Sequence, residues 1–380
     1  MHAQVTPRIR ALIVDDSALA RHMVSKALAA QPDIEVVALA ETGAVALEKV
    51  ERHAPDVVVL DLEMPGMDGI ETLRRLKKLN PGMPVLIFSS QTKRGTGVTL
   101  DAMLAGADDY ALKPEGSADS GSSWAACQLE VATKLRALGM RARRNQAAQA
   151  MTTSGRLERP ASATSGRFEK PPAARPEPVT AIAIGTSIGG PEALAVVLPR
   201  LRADLSVPLF VVQHMPEHFT GALAKRLSER SKLRIVEAQH GQFAEPGCVF
   251  LAPGDSHMQL SRLHEKVSIL LDKGPLENGC RPSVDPLFRS AAKVYGSGLL
   301  AIVLTGMGSD GLHGAEQVKD AGGCVWVQDR ESSAIWGMAG AIERAGLARR
   351  TVPLQSMAAV IEAALQHGLG GVFPVTRKGE

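Results

Sequence analysis

Aromatic residues are scarce: three Trp, two Tyr and eight Phe make up 3% of 380 residues. Binders of single-stranded nucleic acid stack bases on aromatic rings, so no such surface is expected. Cysteine is also rare. Cys127, Cys248, Cys280 and Cys324 stand far apart and form no C-x-x-C pair, which argues against a zinc site and a disulfide framework. No apolar run approaches the roughly 18 residues of a membrane span. The N-terminus also lacks the charged-then-apolar order of a signal peptide. A cytoplasmic protein without direct membrane insertion is expected. A dominant charge is missing too, since 43 Lys/Arg against 40 Asp/Glu leave only +3. Between Arg141 and Pro178 there are eight Lys/Arg against three Asp/Glu, so the rest of the chain is slightly acidic. A nucleic-acid-reading domain is therefore not expected.

Hydrophobic residues reach 45% and charged residues 22%, ordinary values for a folded protein. The length suggests two domains. Residues 11–116 alternate short apolar runs with helical periodicity, and the strand candidates are Ala11–Val14, Ile34–Ala38, Val57–Leu60, Val85–Phe88 and Asp109–Leu112. Runs of this kind imply a parallel sheet buried on both faces. Trp124, Cys127, Val131, Leu135 and Leu138 form one apolar stripe of a closing helix. Residues 145–178 hold three large apolar side chains, Met151, Leu157 and Phe168, too few to offset ordering entropy, and are expected to be a flexible linker. Within that stretch TSGRLERP (153–160) nearly repeats as TSGRFEKP (164–171), read as low-complexity slippage. A second βα pattern follows, with strands near Ala181–Ile184, Leu209–Gln213, Val249–Leu251 and Leu299–Leu304. The expected divisions are 8–128, 129–178 (closing helix and linker) and 179–370. The expected fold is α/β: two doubly wound parallel sheets joined by a linker.

In open parallel sheets, ligand-binding groups gather at the carboxyl ends of strands. In the first domain those ends carry Asp15 and Asp16, Asp61, Ser89 and Lys113. Converging carboxylates repel and call for a hard cation such as Mg²⁺, while Lys113 and Ser89 suit phosphoryl oxygens. A capping Asp or a solvated Lys is the ordinary explanation of any one of them. Five strand-end groups together favour a site. The stretches IVDDS, VLDLEMPGMDG, VLIFSS and YALKP closely resemble the response-regulator receiver family. That resemblance implies a flavodoxin-like fold and phosphorylation of Asp61 by a histidine kinase. It further implies Mg²⁺ held by Asp16 and Asp61, with Asp15 less directly involved, and switching by Ser89 and Tyr110.

In the second domain AIAIGTSIGG (181–190) runs from a strand into a glycine-rich turn, with Pro191 suited to a first helical turn. Gly185-x-Ser187-x-Gly189 fits an elbow that exposes a hydroxyl, leaving the Ile188 amide for an oxyanion. A dinucleotide turn would put glycine where Ser187 stands. Ser187 needs a base, and the base an orienting carboxylate. His214 and Asp310 follow the Leu209–Gln213 and Leu299–Leu304 strands. His313 is a reserve base, and an α/β-hydrolase order would use Ser187, Asp285 and His313 instead. The segments IAIGTSIGGPEAL, QHMP, LAPG, RPSVD and LTGMGSDG resemble the chemotaxis protein-glutamate methylesterase family, whose layout is also receiver, linker, esterase. That resemblance implies hydrolysis of glutamate γ-methyl esters and deamidation of glutamines on methyl-accepting chemoreceptors, with no cofactor for the esterase step. It makes Ser187 the nucleophile, His214 the general base and acid, and Asp310 the orienting carboxylate, and adds Met307 as an oxyanion donor. It also implies that the unphosphorylated receiver obstructs the esterase site. One departure is Ile188, where the family often has a small or hydroxylated residue. A non-enzymatic, receiver-controlled binding module, or the same chemistry on a receptor of another chemosensory pathway, are the alternatives.

Overall fold

A computed structural model describes residues 7–90, 92–114, 121–153 and 177–369. The chain divides into two compact units, 1–158 and 159–380. In the first, the order is β1 (Ile9–Val14), α1 (Ala18–Ala29), β2 (Ile34–Ala40), α2 (Gly43–His53), β3 (Val57–Leu60), α3 (Gly69–Leu79), β4 (Val85–Ser89), α4 (Lys93–Leu104), β5 (Asp109–Leu112) and α5 (Gly121–Thr153). The five strands form one parallel sheet in the order β2-β1-β3-β4-β5, the flavodoxin-like arrangement expected. α1 and α5 cover one face and α2, α3 and α4 the other. β3 and β4 are buried at every residue because both faces are covered, so they read as unbroken apolar runs. Local signals place the helix starts. Ser17, Thr42, Asp68 and Thr92 each cap a helix by accepting a backbone N–H.

The closing stripe of Trp124, Cys127, Val131, Leu135 and Leu138 is buried along α5. This helix continues to Thr153, nine residues into the stretch that composition assigns to the linker. Arg141 pairs with Asp108, and Arg143 with Asp56, so part of the basic excess anchors a folded helix. Most of the linker, the repeat of 164–171 and most of that of 153–160 lie outside the described residues.

The second unit runs β6 (Ala181–Thr186), α6 (Gly190–Val197), β7 (Leu209–Gln213), α7 (Glu217–Arg230), β8 (Arg234–Glu237), β9 (Cys248–Leu251), β10 (His257–Leu263), β11 (Lys266–Asp272), α8 (Val284–Tyr295), β12 (Leu299–Val303), α9 (Leu312–Asp320), β13 (Cys324–Gln328), α10 (Met338–Arg344), β14 (Arg350–Val352) and α11 (Leu354–His367). Seven strands form a parallel sheet in the order β14-β13-β12-β6-β7-β9-β8. α6, α7 and α11 pack together on one face, and α8, α9 and α10 on the other. The antiparallel β10–β11 hairpin leans on α8 and was not anticipated; its alternating pattern breaks down where Ile269, Leu270 and Leu271 follow one another. β8, β13 and β14 were also not anticipated. Topology here places the functional ends: β6 is followed to one side by β7 and flanked on the other by β12, so the order reverses between β6 and β12. A ligand crevice opens at such a reversal, beyond the strands' carboxyl ends.

Candidate active site

The first crevice lies between β1 and β3, where the order of the first sheet reverses. Oxygens of Asp15, Asp16 and Asp61 lie within 4.8 Å of one another. Asp15 and Asp61 are buried and Asp16 is exposed. Lys113 Nζ stands 2.8 Å from Asp15 Oδ2 and 2.8 Å from Asp61 Oδ2. One ammonium against three carboxylates leaves a negative centre made wholly of hard oxygen donors, and these fit Mg²⁺. Burial pushes the Asp61 carboxyl above the ordinary aspartate value, while Lys113 pulls the other way. Ser89 is buried, its hydroxyl accepting from Thr99 Oγ1 at 2.5 Å. Tyr110 is buried, with Lys134 Nζ 5.1 Å from its ring centre.

The second crevice collects the other group of residues predicted from the sequence. β6 delivers Ser187, whose N–H donates to Thr305 O at 3.0 Å. The turn is tight but differs from a strained elbow: positive φ falls at Gly189 (76°) and not at Ser187. A methyl at Gly189 would sit 2.4 Å from Ala334 Cβ, so glycine is needed there on both counts. β7 delivers His214, whose N–H donates to Thr186 O at 3.1 Å and so ties the two strand ends together. The loop after β12 brings Gly306 against the serine, since a methyl at position 306 would meet Ser187 Cβ at 2.8 Å. The amides of Ile188 and Met307 have no acceptor among the described residues and flank Ser187 in sequence and through Gly306.

His214 Nε2 and Asp310 Oδ2 are 2.7 Å apart. Asp310 itself is held from several sides. Its Oδ1 accepts from Ser283 Oγ at 2.7 Å, Asn278 Nδ2 at 2.8 Å and Gly311 N at 2.9 Å, and its Oδ2 accepts from Val284 N at 2.7 Å. Val284 opens α8, so the carboxylate also faces a helix N-terminus. Burial would raise the Asp310 carboxyl, but the His214 bond and these donors hold it below the ordinary value. For His214, burial alone would lower the imidazole; the Asp310 bond and the Cys280 contact outweigh it and raise the pKa to about 9. The other ring nitrogen, Nδ1, faces Cys280 Sγ at 3.5 Å. No hydrogen bond joins His214 to Ser187, and Ser187 Oγ has no partner among the described residues.

The alternative groupings do not form. His313 is exposed and pairs with Glu316 at 3.3 Å. Asp285 is buried, accepting from Gly314 N and from Asn278 Nδ2, its carboxyl pushed up by burial. Cys280, Asn278, Ser283 and Gln213 were missed as site residues. Ser283 and Gln213 stand inside the RPSVD and QHMP stretches, and Cys280 directly precedes the former, so proximity to those motifs was the available signal.

Comparison with known proteins fits both crevices. The family model of the response regulator receiver domain matches residues 11–120, and that of the CheB methylesterase matches residues 182–361. A Nocardioides protein named protein-glutamate methylesterase/protein-glutamine glutaminase is 42% identical over 92% of this chain and 93% of its own length. One of the same name from Trichodesmium erythraeum is 39% identical over 93% of this chain and 97% of its own. The crystal structure of the Thermotoga maritima CheB methylesterase catalytic domain is 39% identical, covering 48% of this chain and 97% of that one, with a TM-score of 0.48. Two carboxyl-end crevices, one acidic and one bearing serine, histidine and aspartate, thus occur in a chain that belongs to the protein-glutamate methylesterase/protein-glutamine glutaminase family.

Proposed function

We propose that this chain is a phosphorylation-activated hydrolase that removes methyl groups from glutamate γ-methyl esters of chemoreceptors, releasing methanol, and deamidates glutamines on them. The observation that carries this reading is the 2.7 Å His214–Asp310 bond at the strand end beside Ser187. His214 takes the proton of Ser187 Oγ as that oxygen attacks the ester carbonyl. With Nε2 held by Asp310, Nδ1 is the nitrogen left to act as base. It reaches Ser187 once substrate fills the crevice, since such bonds are often unmade before substrate binds. The tetrahedral oxyanion is stabilised by the Ile188 and Met307 amides, each contributing on the order of 3 kcal/mol. His214 returns the proton to the departing methoxide, and water then repeats the sequence on the acyl-enzyme. A glutamine side chain follows the same path, with ammonia leaving in place of methanol.

In the receiver, Mg²⁺ would be held by Asp16 and Asp61, and by Asp15 less directly, neutralising charge as Asp61 accepts a phosphoryl group from a histidine kinase. Lys113 would pair with a phosphoryl oxygen, and Ser89 and Tyr110 would respond. The phosphoryl group, bearing about −2 where the Asp61 carboxylate bore −1, relieves obstruction of the esterase crevice. Division at 8–128, 129–178 and 179–370 assigns these tasks to separate domains. A cytoplasmic location suits such partners, and no described helix is long and apolar enough to cross a membrane. Ser187→Ala tests the chemistry: methanol release should vanish with the melting temperature unchanged, and a rate within tenfold of wild type would exclude Ser187 as nucleophile.

A further inference from the structure

Gln213, the last residue of β7, is 2% exposed, and the reaction outlined above leaves it without a task. Its amide Nε2 donates to Ser187 O at 2.9 Å and to His214 O at 3.1 Å. Both acceptors are carbonyls, so the orientation of the amide is fixed: a flipped group would set oxygen against two oxygens. One buried NH₂ group therefore links the backbone of the serine to that of the histidine, whose side chains must meet. The other end of the amide explains a glycine. A methyl at Gly190 would lie 1.9 Å from Gln213 Oε1 and 2.6 Å from Thr186 Oγ1, so the second glycine of the IGG turn leaves room for this side chain. The turn and the QHMP stretch are thus interlocked parts, one shaped around the other.

We propose that Gln213 is a positioning residue of the hydrolytic reaction: its single amide sets the register between the strand end bearing Ser187 and the one bearing His214. The proposal rests on the reading of those two residues given above. Ser187 and His214 are not hydrogen bonded at rest, so the serine–base distance depends on how the two backbones are fixed. A shift of about 1 Å in such a pair costs up to roughly 100-fold in rate. Substrate affinity, set by groups outside the pair, should be little affected.

The test uses the full chain with Gln213→Met, which keeps the volume and loses the donors, and Gln213→Glu, which keeps the shape and opposes the carbonyls with a carboxylate. Labelling of Ser187 by a fluorophosphonate is followed together with kcat and KM for methanol release. The labelling rate constant is read from the time course, and kcat is taken per site labelled at completion, so any unfolded fraction drops out, and either variant suffices if the other does not fold. The proposal expects labelling and kcat to fall together by roughly 10- to 100-fold, with KM within about threefold of wild type. Wild-type labelling and kcat in the variants, or a loss confined to KM, would overturn it. Ser187→Ala separates the two layers. If it still labels, the nucleophile reading and this proposal fall together; if it does not label while the Gln213 variants behave as wild type, only this proposal falls.

Discussion

His214 carries the sharpest consequence of the site's electrostatics. A general base must be neutral to accept a proton, and with a pKa of about 9 the ring is mostly protonated at neutral pH. The kcat/KM of methanol release should therefore climb with pH from 7 towards about 9, where an unperturbed imidazole would have levelled off near 6.5. Asp310→Asn keeps the shape but removes the charge that helps lift the ring, leaving burial opposed only by the Cys280 contact. The rising limb should then move to lower pH, and the rate should drop by roughly 10⁴-fold. An unmoved limb would show that Asp310 does not govern the base. The same shift bears on stability. A raised pKa stabilises the fold fully below about pH 6.5, and that contribution is lost as pH rises through about 9. In the receiver, Asp61→Asn should abolish phosphoryl uptake from a small phosphodonor, measured as acid-stable mass gain on the intact chain; uptake that persists would relocate the acceptor.

At the scale of elements, the loop after β12 is set against the Ser187 turn with no room to spare. Gly306→Ala would bring a methyl within 2.3 Å of Met338 Sδ and 2.8 Å of Ser187 Cβ. We expect methanol release to fall by at least about 10-fold while far-ultraviolet circular dichroism stays unchanged; full activity would mean that this loop does not define the crevice. The βα rhythm was legible because buried parallel strands are short apolar runs: β3, β5 and β7 fall at the expected residues. β8 and β14 escaped because they are short edge strands with half-exposed residues. Ser187, His214 and Asp310 were legible as strand-end residues. The residues that hold them were not, because the clamp on Asp310 joins Asn278 and Ser283 across a loop and a helix start, and no local pattern encodes that meeting. Nor could the sequence show that the His214 ring faces Cys280 with Nδ1 and Asp310 with Nε2.

Across the whole molecule, two independently built sheets each place a candidate site at the point where strand order reverses. On the proposed reading, joining an acidic crevice to one bearing serine, histidine and aspartate in a single chain makes sense as a switch and its output. If the unphosphorylated receiver obstructs the esterase crevice, a shortened chain beginning at Val179 should release methanol faster than the unphosphorylated full chain. An equal or slower rate would contradict obstruction. Methanol release from methylated chemoreceptor membranes by the full chain, with and without Mg²⁺ and a small phosphodonor, tests the switch and the chemistry together. Release should rise when both are present, should not rise in Asp61→Asn, and should vanish in Ser187→Ala. Release that is indifferent to the phosphodonor, or that survives the loss of Ser187, would contradict the proposed function.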